Sequence, residues 1–482
     1  MDSLNNKIIF SCDLKKESIP LTHFWEHTIS SSHATMALRA DWQKQLTRCQ
    51  KELGFKHVRF HAILSDDMGT MVDEDDHYIY SFFNIDQIFD FLLSIGMKPF
   101  VELSFMPNDL ASGNDVVFEY HGNITPPKDY DAWATLIEKL AEHLVARYGL
   151  AEVSQWFFEV WNEPNLTAFW KGNQASYFKL YQYTANAIKK VNPLLKVGGP
   201  ATADNQWIKE FIAFCAENKL PADFVSTHHY PTDAFGKPGD DTIAQLAASK
   251  RSVLRDEATE VKNQAAGKPV YYTEWSTSSN PFDDLHDEPY ASAFITKTIM
   301  EANGIVEGYS YWTFSDIFEE NYFSSIPFHG GFGLMNIYGI PKPAYRAYEL
   351  LHRMGNELLT VEGHHDTVDV WVSREPGKIK AMITNGALPR HPIKTETVVL
   401  SLSGIDKVKT AYIERIDENS ANARRKWEEM GKPDTLSPEM VEELEKASLI
   451  TKSDIEVKYI SAAVSLEATL LPLATACITL EI

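Results

Sequence analysis

Apolar positions along the chain follow two rhythms. Up to about residue 354, short apolar runs at 21–29, 57–64, 98–103, 156–160, 196–200, 223–229, 270–275 and 306–314 read as strands. Between and after them lie stretches of helical period at 38–53, 86–95, 129–148, 175–191, 206–218, 242–265, 290–303 and 343–354. The first three of these stop at Gly54, Gly96 and Gly149, residues suited to ending a helix. Eight strand–helix alternations predict an α/β fold, a (β/α)₈ TIM barrel with enlarged loops. Beyond residue 355 the period falls to two, at 367–372, 378–384, 397–402, 408–413, 457–460, 464–470 and 476–482. That pattern predicts an accessory antiparallel β-sandwich. The expected organisation is therefore a strand within residues 1–14 joining the sandwich, a barrel over 15–354, and the sandwich over 355–482 with a charged, helical insertion at about 417–447.

Two of the barrel strands break off at an acid. The run Trp156-Phe157-Phe158-Glu159-Val160 leads into Trp161-Asn162-Glu163-Pro164, where proline stops strand pairing. The second run, Val270-Tyr271-Tyr272-Thr273, ends in Glu274-Trp275. Barrels of this class place their chemistry at the carboxyl ends of strands, and two carboxylates there are what glycosidic cleavage requires. Glu163, flanked by Trp161 and Pro164, suits a general acid whose pKa is raised by desolvation; the competing reading is a buried Glu paired with an arginine. Asn162 can hydrogen-bond a sugar hydroxyl. Arg59 and His61 share one face of their strand, so Arg59 is a candidate to keep Glu274 ionised, or else a salt bridge of the barrel floor. His228 and Tyr230 share a face in the same way, with Tyr230 a donor to the nucleophile and His228 a donor to the sugar. Trp312, Phe314, Trp170 and Phe105 lie near strand ends as sugar-stacking or plain core aromatics. Asp66-Asp67 and Glu319-Glu320 follow the second and eighth strands, as hydroxyl ligands or solvated turns.

Composition narrows the partners. A formal net charge of −22 argues against nucleic acid or an anionic membrane. Cys12, Cys49, Cys215 and Cys477 lack the spacing of a zinc site or disulfide framework, and no cofactor or metal is expected. No secretory signal or membrane-spanning run is legible, so a cytoplasmic protein is expected.

The segments Phe158-Glu159-Val160-Trp161-Asn162-Glu163-Pro164-Asn165-Leu166, Tyr272-Thr273-Glu274-Trp275-Ser276 and Tyr311-Trp312-Thr313-Phe314-Ser315-Asp316 resemble glycoside hydrolase family 39. The likeness continues through His329-Gly330-Gly331-Phe332-Gly333-Leu334 and Ile413-Glu414-Arg415-Ile416-Asp417. It is nearer to the β-xylosidase branch than to α-L-iduronidase. The resemblance implies a retaining exo-β-xylosidase acting on small xylo-oligosaccharides or β-xylosides, with Glu163 as acid/base and Glu274 as nucleophile. It further implies that Asn162 contacts the 2-hydroxyl, that His61, His228 and Tyr230 line the site, and that the protein is a homo-oligomer built partly through the sandwich. Glu320, Asp67 and Trp312 complete the expected sugar pocket. An arabinosidase, galactosidase or iduronidase-like activity is the alternative. An iduronidase needs cations for a uronate carboxylate; no loop cluster of Arg or Lys is legible, and single residues such as Lys171 or Arg251 are candidates. A non-catalytic sugar-binding protein would be expected to lack one of the two strand-end acids.

Overall fold

A computed structural model describes residues 7–75, 77–232, 239–320, 323–460 and 463–482. Eight strands close into one parallel barrel: β1 (Thr28–His33), β2 (His57–His61), β3 (Lys98–Leu103), β4 (Phe157–Val160), β5 (Lys196–Thr202), β6 (Phe224–His229), β7 (Val270–Trp275) and β8 (Gly308–Tyr311). Each pairs with its neighbours in sequence, and Tyr311 opposite Ile29 closes the ring. The (β/α)₈ barrel expected from the alternation is therefore the fold. Two elements differ. The first strand is not 21–29 but Thr28–His33, because Phe24–Glu26 forms a 3₁₀ turn entered through His23 at φ 51°. Phe24 still buries its ring, 6.1 Å from that of Tyr309 on β8. The helix expected at 242–265 is two, Thr242–Ala248 and Val253–Gln264. Between them Arg251 turns away to donate to the Asp366 carbonyl at 2.7 Å and to pair with Asp369 at 2.5 Å.

Inside the barrel the two-residue period stacks chemistry in layers. Phe100, Phe157 and Phe224 are buried together with Tyr271 against them, and the rings of Phe100 and Phe157 stack at 5.0 Å. These rings seal the amino-terminal end of the barrel. Two residues further along the same strands stand Glu102, Glu159, Ser226 and Thr273, and Arg59 stands two after His57. An aromatic floor thus carries a polar layer on which the site rests. Near the carboxyl ends the pairing slips between β6 and β7: Thr227 lies opposite Tyr272, but His228 lies opposite Glu274. Such a slip leaves one residue over and re-aims those beyond it. It lets Glu274 approach the barrel axis directly after Thr273.

A second hydrophobic core lies between two further sheets. The strand Lys7–Asp13 sits in the five-stranded one, parallel to Glu396–Ser403 and antiparallel to Val361–Glu362. Phe10, Val398, Leu400 and Leu466 from that sheet face Val372, Ile383, Ile413 and Ile478 of the seven-stranded one. The helix Pro289–Ala302, buried along almost its whole length, packs against Ala474–Glu481 of this second unit. Two further helices, Ala423–Glu429 and Pro438–Ala447, interrupt the sheets. They bury Trp427, Leu436 and Leu444 with Phe328 and Ile340 from the segment after β8. Arg424 reaches back to the Asp284 carbonyl at 2.7 Å. The insertion therefore braces the segments that follow β7 and β8, beside the mouth of the barrel.

Candidate active site

Glu163 is presented by an irregular backbone. After β4 ends at Val160, Trp161 (φ 73°) and Glu163 (φ 44°) both take left-handed conformations, which cost about 1–3 kcal/mol each in non-glycine residues. Hydrogen bonds hold the turn: Glu163 N–H donates to the Ala201 carbonyl at 2.8 Å, and the Trp161 indole donates to Phe169 O at 2.9 Å. This strained turn directs the Glu163 carboxyl to the barrel axis, where one of its oxygens lies within 4.8 Å of one from Glu274.

Arg59 ties the polar layer together. Its Nε donates to Glu159 at 2.6 Å, Nη1 to Glu274 Oε1 at 2.7 Å and Nη2 to Asn162 Oδ1 at 2.9 Å, with His228 Nε2 3.4 Å from Nη2; the same nitrogen forms an ion pair with Glu102 at 2.8 Å. Because the Asn162 oxygen is taken by Arg59, its amide NH₂ is the end left to donate. Tyr230 Oη donates to Glu274 Oε2 at 3.0 Å. His61 Nδ1 bonds Glu102 at 2.7 Å, while its Nε2 lies 3.5 Å from Glu274 and 3.6 Å from Glu320. The ring of Trp312 lies 4.8 Å from that of His61.

This constellation separates the two acids. Burial, and then the charge of Glu274, hold the Glu163 carboxyl well above the usual carboxylate range. Burial raises Glu274 too, but Arg59 and His61 pull it back, and Tyr230 supplies a further donor. Of the two, Glu163 is held the higher, so it is the readier to keep a proton and Glu274 the readier to ionise. The Tyr230 phenol, pushed well above 10 by burial and Glu274, keeps its proton to donate. Burial, and then the charge of Glu274, likewise lift Glu320 well above the usual carboxylate range.

Of the residues singled out in the sequence, Arg59, His61, Asn162, Glu163, His228, Tyr230, Glu274, Trp312 and Glu320 converge here. Asp67 does not: its carboxylate pairs with His33 Nε2 at 2.7 Å, and it is partly exposed. His228 converges in a different role from a sugar donor. It is fully buried, with Nδ1 on Glu163 at 2.9 Å and Nε2 on Thr273 Oγ at 3.1 Å, so both ring nitrogens are engaged within the protein. Phe105, Phe314 and Trp170 are core residues. Sequence reasoning passed over Glu102, Glu159 and Thr273. The signal was present for the two acids, since a lone carboxylate in an otherwise apolar parallel strand must find a buried partner.

Two clusters among the described residues have donor sets that a metal ion would accept: Glu163–His228–Glu274, and His23–Glu26–His352 at the opposite end of the barrel. The first is knit by its own hydrogen bond, and the second by Glu26 Oε1, which bonds both histidines at 2.7 and 2.8 Å. Glycoside cleavage by a carboxylate pair calls for neither.

A β-xylosidase of Caldicellulosiruptor saccharolyticus is 49% identical over 467 residues, 96% of each chain. The crystal structure of a monomeric β-xylosidase from Caulobacter crescentus CB15 superposes with a TM-score of 0.86 at 33% identity, covering 98% of this chain and 99% of that one. Human α-L-iduronidase is a more distant relative, 29% identical over 192 residues, 38% of this chain and 28% of its own. The model of glycosyl hydrolases family 39 matches residues 8–461. With the family's fold and a buried pair of glutamates at the mouth of the barrel, the chain belongs to glycosyl hydrolases family 39.

Proposed function

We propose that the protein is a retaining exo-β-xylosidase, with Glu274 as nucleophile and Glu163 as acid/base, releasing xylose from the non-reducing end of short xylosides. The observation that carries this reading is that one oxygen of each carboxylate lies within 4.8 Å of one from the other, and that both carboxylates approach His228 Nδ1, at 2.9 and 3.6 Å. Retaining enzymes hold their pair about 5–5.5 Å apart, whereas inverting ones need roughly 6.5–9.5 Å to admit a water. Glu274 attacks the anomeric carbon while Glu163 protonates the leaving oxygen; Glu163 then takes a proton from the water that releases the sugar. Asn162 donates to the 2-hydroxyl, and Tyr230 and Arg59 steady the anion of Glu274. Only 8% of Glu163 and 5% of Glu274 is exposed, which favours a closed pocket for one terminal ring over an open cleft.

The iduronidase-like alternative fares worse. Lys171 pairs with Asp115, and Arg251 with Asp369 against the second domain, so neither is offered to a uronate carboxylate. The Arg59 guanidinium is shared among three glutamates. On a panel of nitrophenyl glycosides, kcat/KM for the β-xyloside should exceed that for the β-glucoside by about tenfold or more, since the glucoside carries one extra CH₂OH into a fitted pocket. A better glucoside, or cleavage of a uronide alone, contradicts the assignment.

Ile9, Tyr459 and Ile460 are exposed on strands of the five-stranded sheet, apolar surface that supports self-association through the sandwich. The four cysteines are free and buried, in keeping with a reducing compartment such as the cytoplasm. Among the described residues no helix is long and apolar enough to cross a membrane.

A further inference from the structure

We propose that Lys342 is a positioning residue for Glu320: its buried ammonium closes the base of the excursion that follows β8, and so fixes the carboxyl which that excursion carries into the site. The proposal rests on the reading of the site as a sugar pocket. Glu320 is only 6% exposed, and its Oε1 makes no hydrogen bond among the described residues. His61 Nε2 stands 3.6 Å from that oxygen. A carboxyl so placed is offered to a ligand hydroxyl, and its aim depends on how its loop is rooted.

After β8 ends at Tyr311 the chain runs on beside β1, where Phe314 N–H donates to Ser30 O at 3.0 Å. It departs after Asp316, carries Glu319 and Glu320, and comes back through His329-Gly330-Gly331-Phe332-Gly333-Leu334. The outgoing and returning legs pair. Leu334 N–H donates to Thr313 O at 3.0 Å, Met335 N–H to Phe314 O at 3.1 Å, and Asp316 N–H to Met335 O at 2.9 Å. The glycines let the legs touch: a Cβ at Gly333 would stand 2.3 Å from Asp316 N, and one at Gly331 would stand 2.5 Å from Asp316 Oδ1.

Lys342 sits at this junction. Its Nζ forms ion pairs with Asp316 Oδ2 and Asp287 Oδ1, each at 2.6 Å, and donates to the Gly331 carbonyl at 2.9 Å. The other oxygens of the two acids are also engaged: Asp316 Oδ1 accepts from Gly333 N–H and Asp287 Oδ2 from Gly330 N–H, both at 2.7 Å. One ammonium thus joins both legs of the excursion to the segment after β7. All three side chains are buried. Burial opposes the charge on Lys342, but the two carboxylates outweigh it and hold the ammonium above its usual range. Moving any one of the three away would leave a buried charge uncompensated, which gives the excursion a single fixed root.

The test is a double-mutant cycle on whichever nitrophenyl glycoside the wild type cleaves best. Asp316→Asn and Asp287→Asn each remove one ion pair while leaving an oxygen to accept from the glycine N–H. Each should lower kcat/KM about 10–100-fold, the scale of a displacement of about 1 Å. The same changes are then made beside Glu320→Gln. If Lys342 acts by placing Glu320, each should cost at most about twofold once Glu320 is altered, because residues that act as one unit are not additive. Full, additive losses in that background overturn the proposal, as does wild-type kcat/KM in both single variants. Circular dichroism at the assay temperature shows which variants are folded. Should Asp316→Asn not fold, Asp287→Asn carries the test, since it keeps the ion pair nearer Glu320. A Glu320→Gln enzyme with wild-type kcat/KM takes Glu320 out of the pocket and overturns the proposal, while leaving the roles of Glu163 and Glu274 untouched. Preference for a glycoside other than the xyloside overturns the xylosidase reading, and coupling in the cycle would still support the placement of Glu320 by Lys342.

Discussion

Glu274→Ala is expected to lower turnover by on the order of 10⁴-fold or more for every leaving group, because no glycosyl-enzyme can form and nucleophile removal costs at least this much in comparable systems. Leaving-group quality should not soften the loss. The fold should survive, since Arg59 keeps its ion pairs to Glu102 and Glu159, and thermal melting checks this. Added azide can occupy the space of the missing carboxylate and attack the anomeric carbon from the same side. Its product should be the α-glycosyl azide, formed with one inversion. A variant that keeps measurable activity on its own, or a β-azide product, would remove Glu274 from its role.

Glu163→Ala should behave differently. A poor leaving group needs a proton from the general acid, whereas a nitrophenolate departs without one, so the loss in kcat/KM should be about 10²–10⁴-fold for the former and small for the latter. On activated substrates the variant should accumulate the glycosyl-enzyme, since no base activates water. Azide attacks that intermediate without base help, restoring turnover and giving the β-azide by two inversions. Rapid-quench kinetics with and without azide measure both effects. Equal slowing of the bond-cleavage step on good and poor leaving groups would contradict the assignment.

The barrel was legible because most of its strands are apolar runs broken by few polar residues. The predicted 98–103 and 270–275 coincide with β3 and β7. The first strand was not legible, for a physical reason. Thr28-Ile29-Ser30-Ser31-Ser32-His33 carries one large aliphatic residue, and its Thr28, Ser30 and Ser31 hydroxyls find partners inside the protein. Ser30 donates to the Thr273 carbonyl at 2.8 Å, and Ser31 accepts from the Trp42 indole at 2.9 Å. A strand that buries hydroxyls in mutual hydrogen bonds leaves no hydropathy signal.

The candidate site divides in the same way. Glu163 and Glu274 stand out locally, each where an apolar strand breaks off. The sharing of Arg59 among Glu102, Glu159 and Glu274 joins four strands far apart in sequence, and no local pattern encodes it. The role of His228 was misread because alternation placed its ring in the barrel but said nothing of Thr273. Only the slipped pairing between β6 and β7 brings Thr273 and Glu274, adjacent in sequence, onto the same histidine. Asp67 looked like a pocket residue by its place after β2, yet His33 claims it.

Double displacement by Glu274 and Glu163 is tested most directly by the anomer that leaves the enzyme first. ¹H NMR of the reaction within the first turnovers, before mutarotation, reads the anomer released from a nitrophenyl β-xyloside. β-Xylose is expected first and α-xylose only later, as the two anomers equilibrate. If α-xylose appears first, the mechanism is inverting and the roles given to Glu274 and Glu163 are wrong.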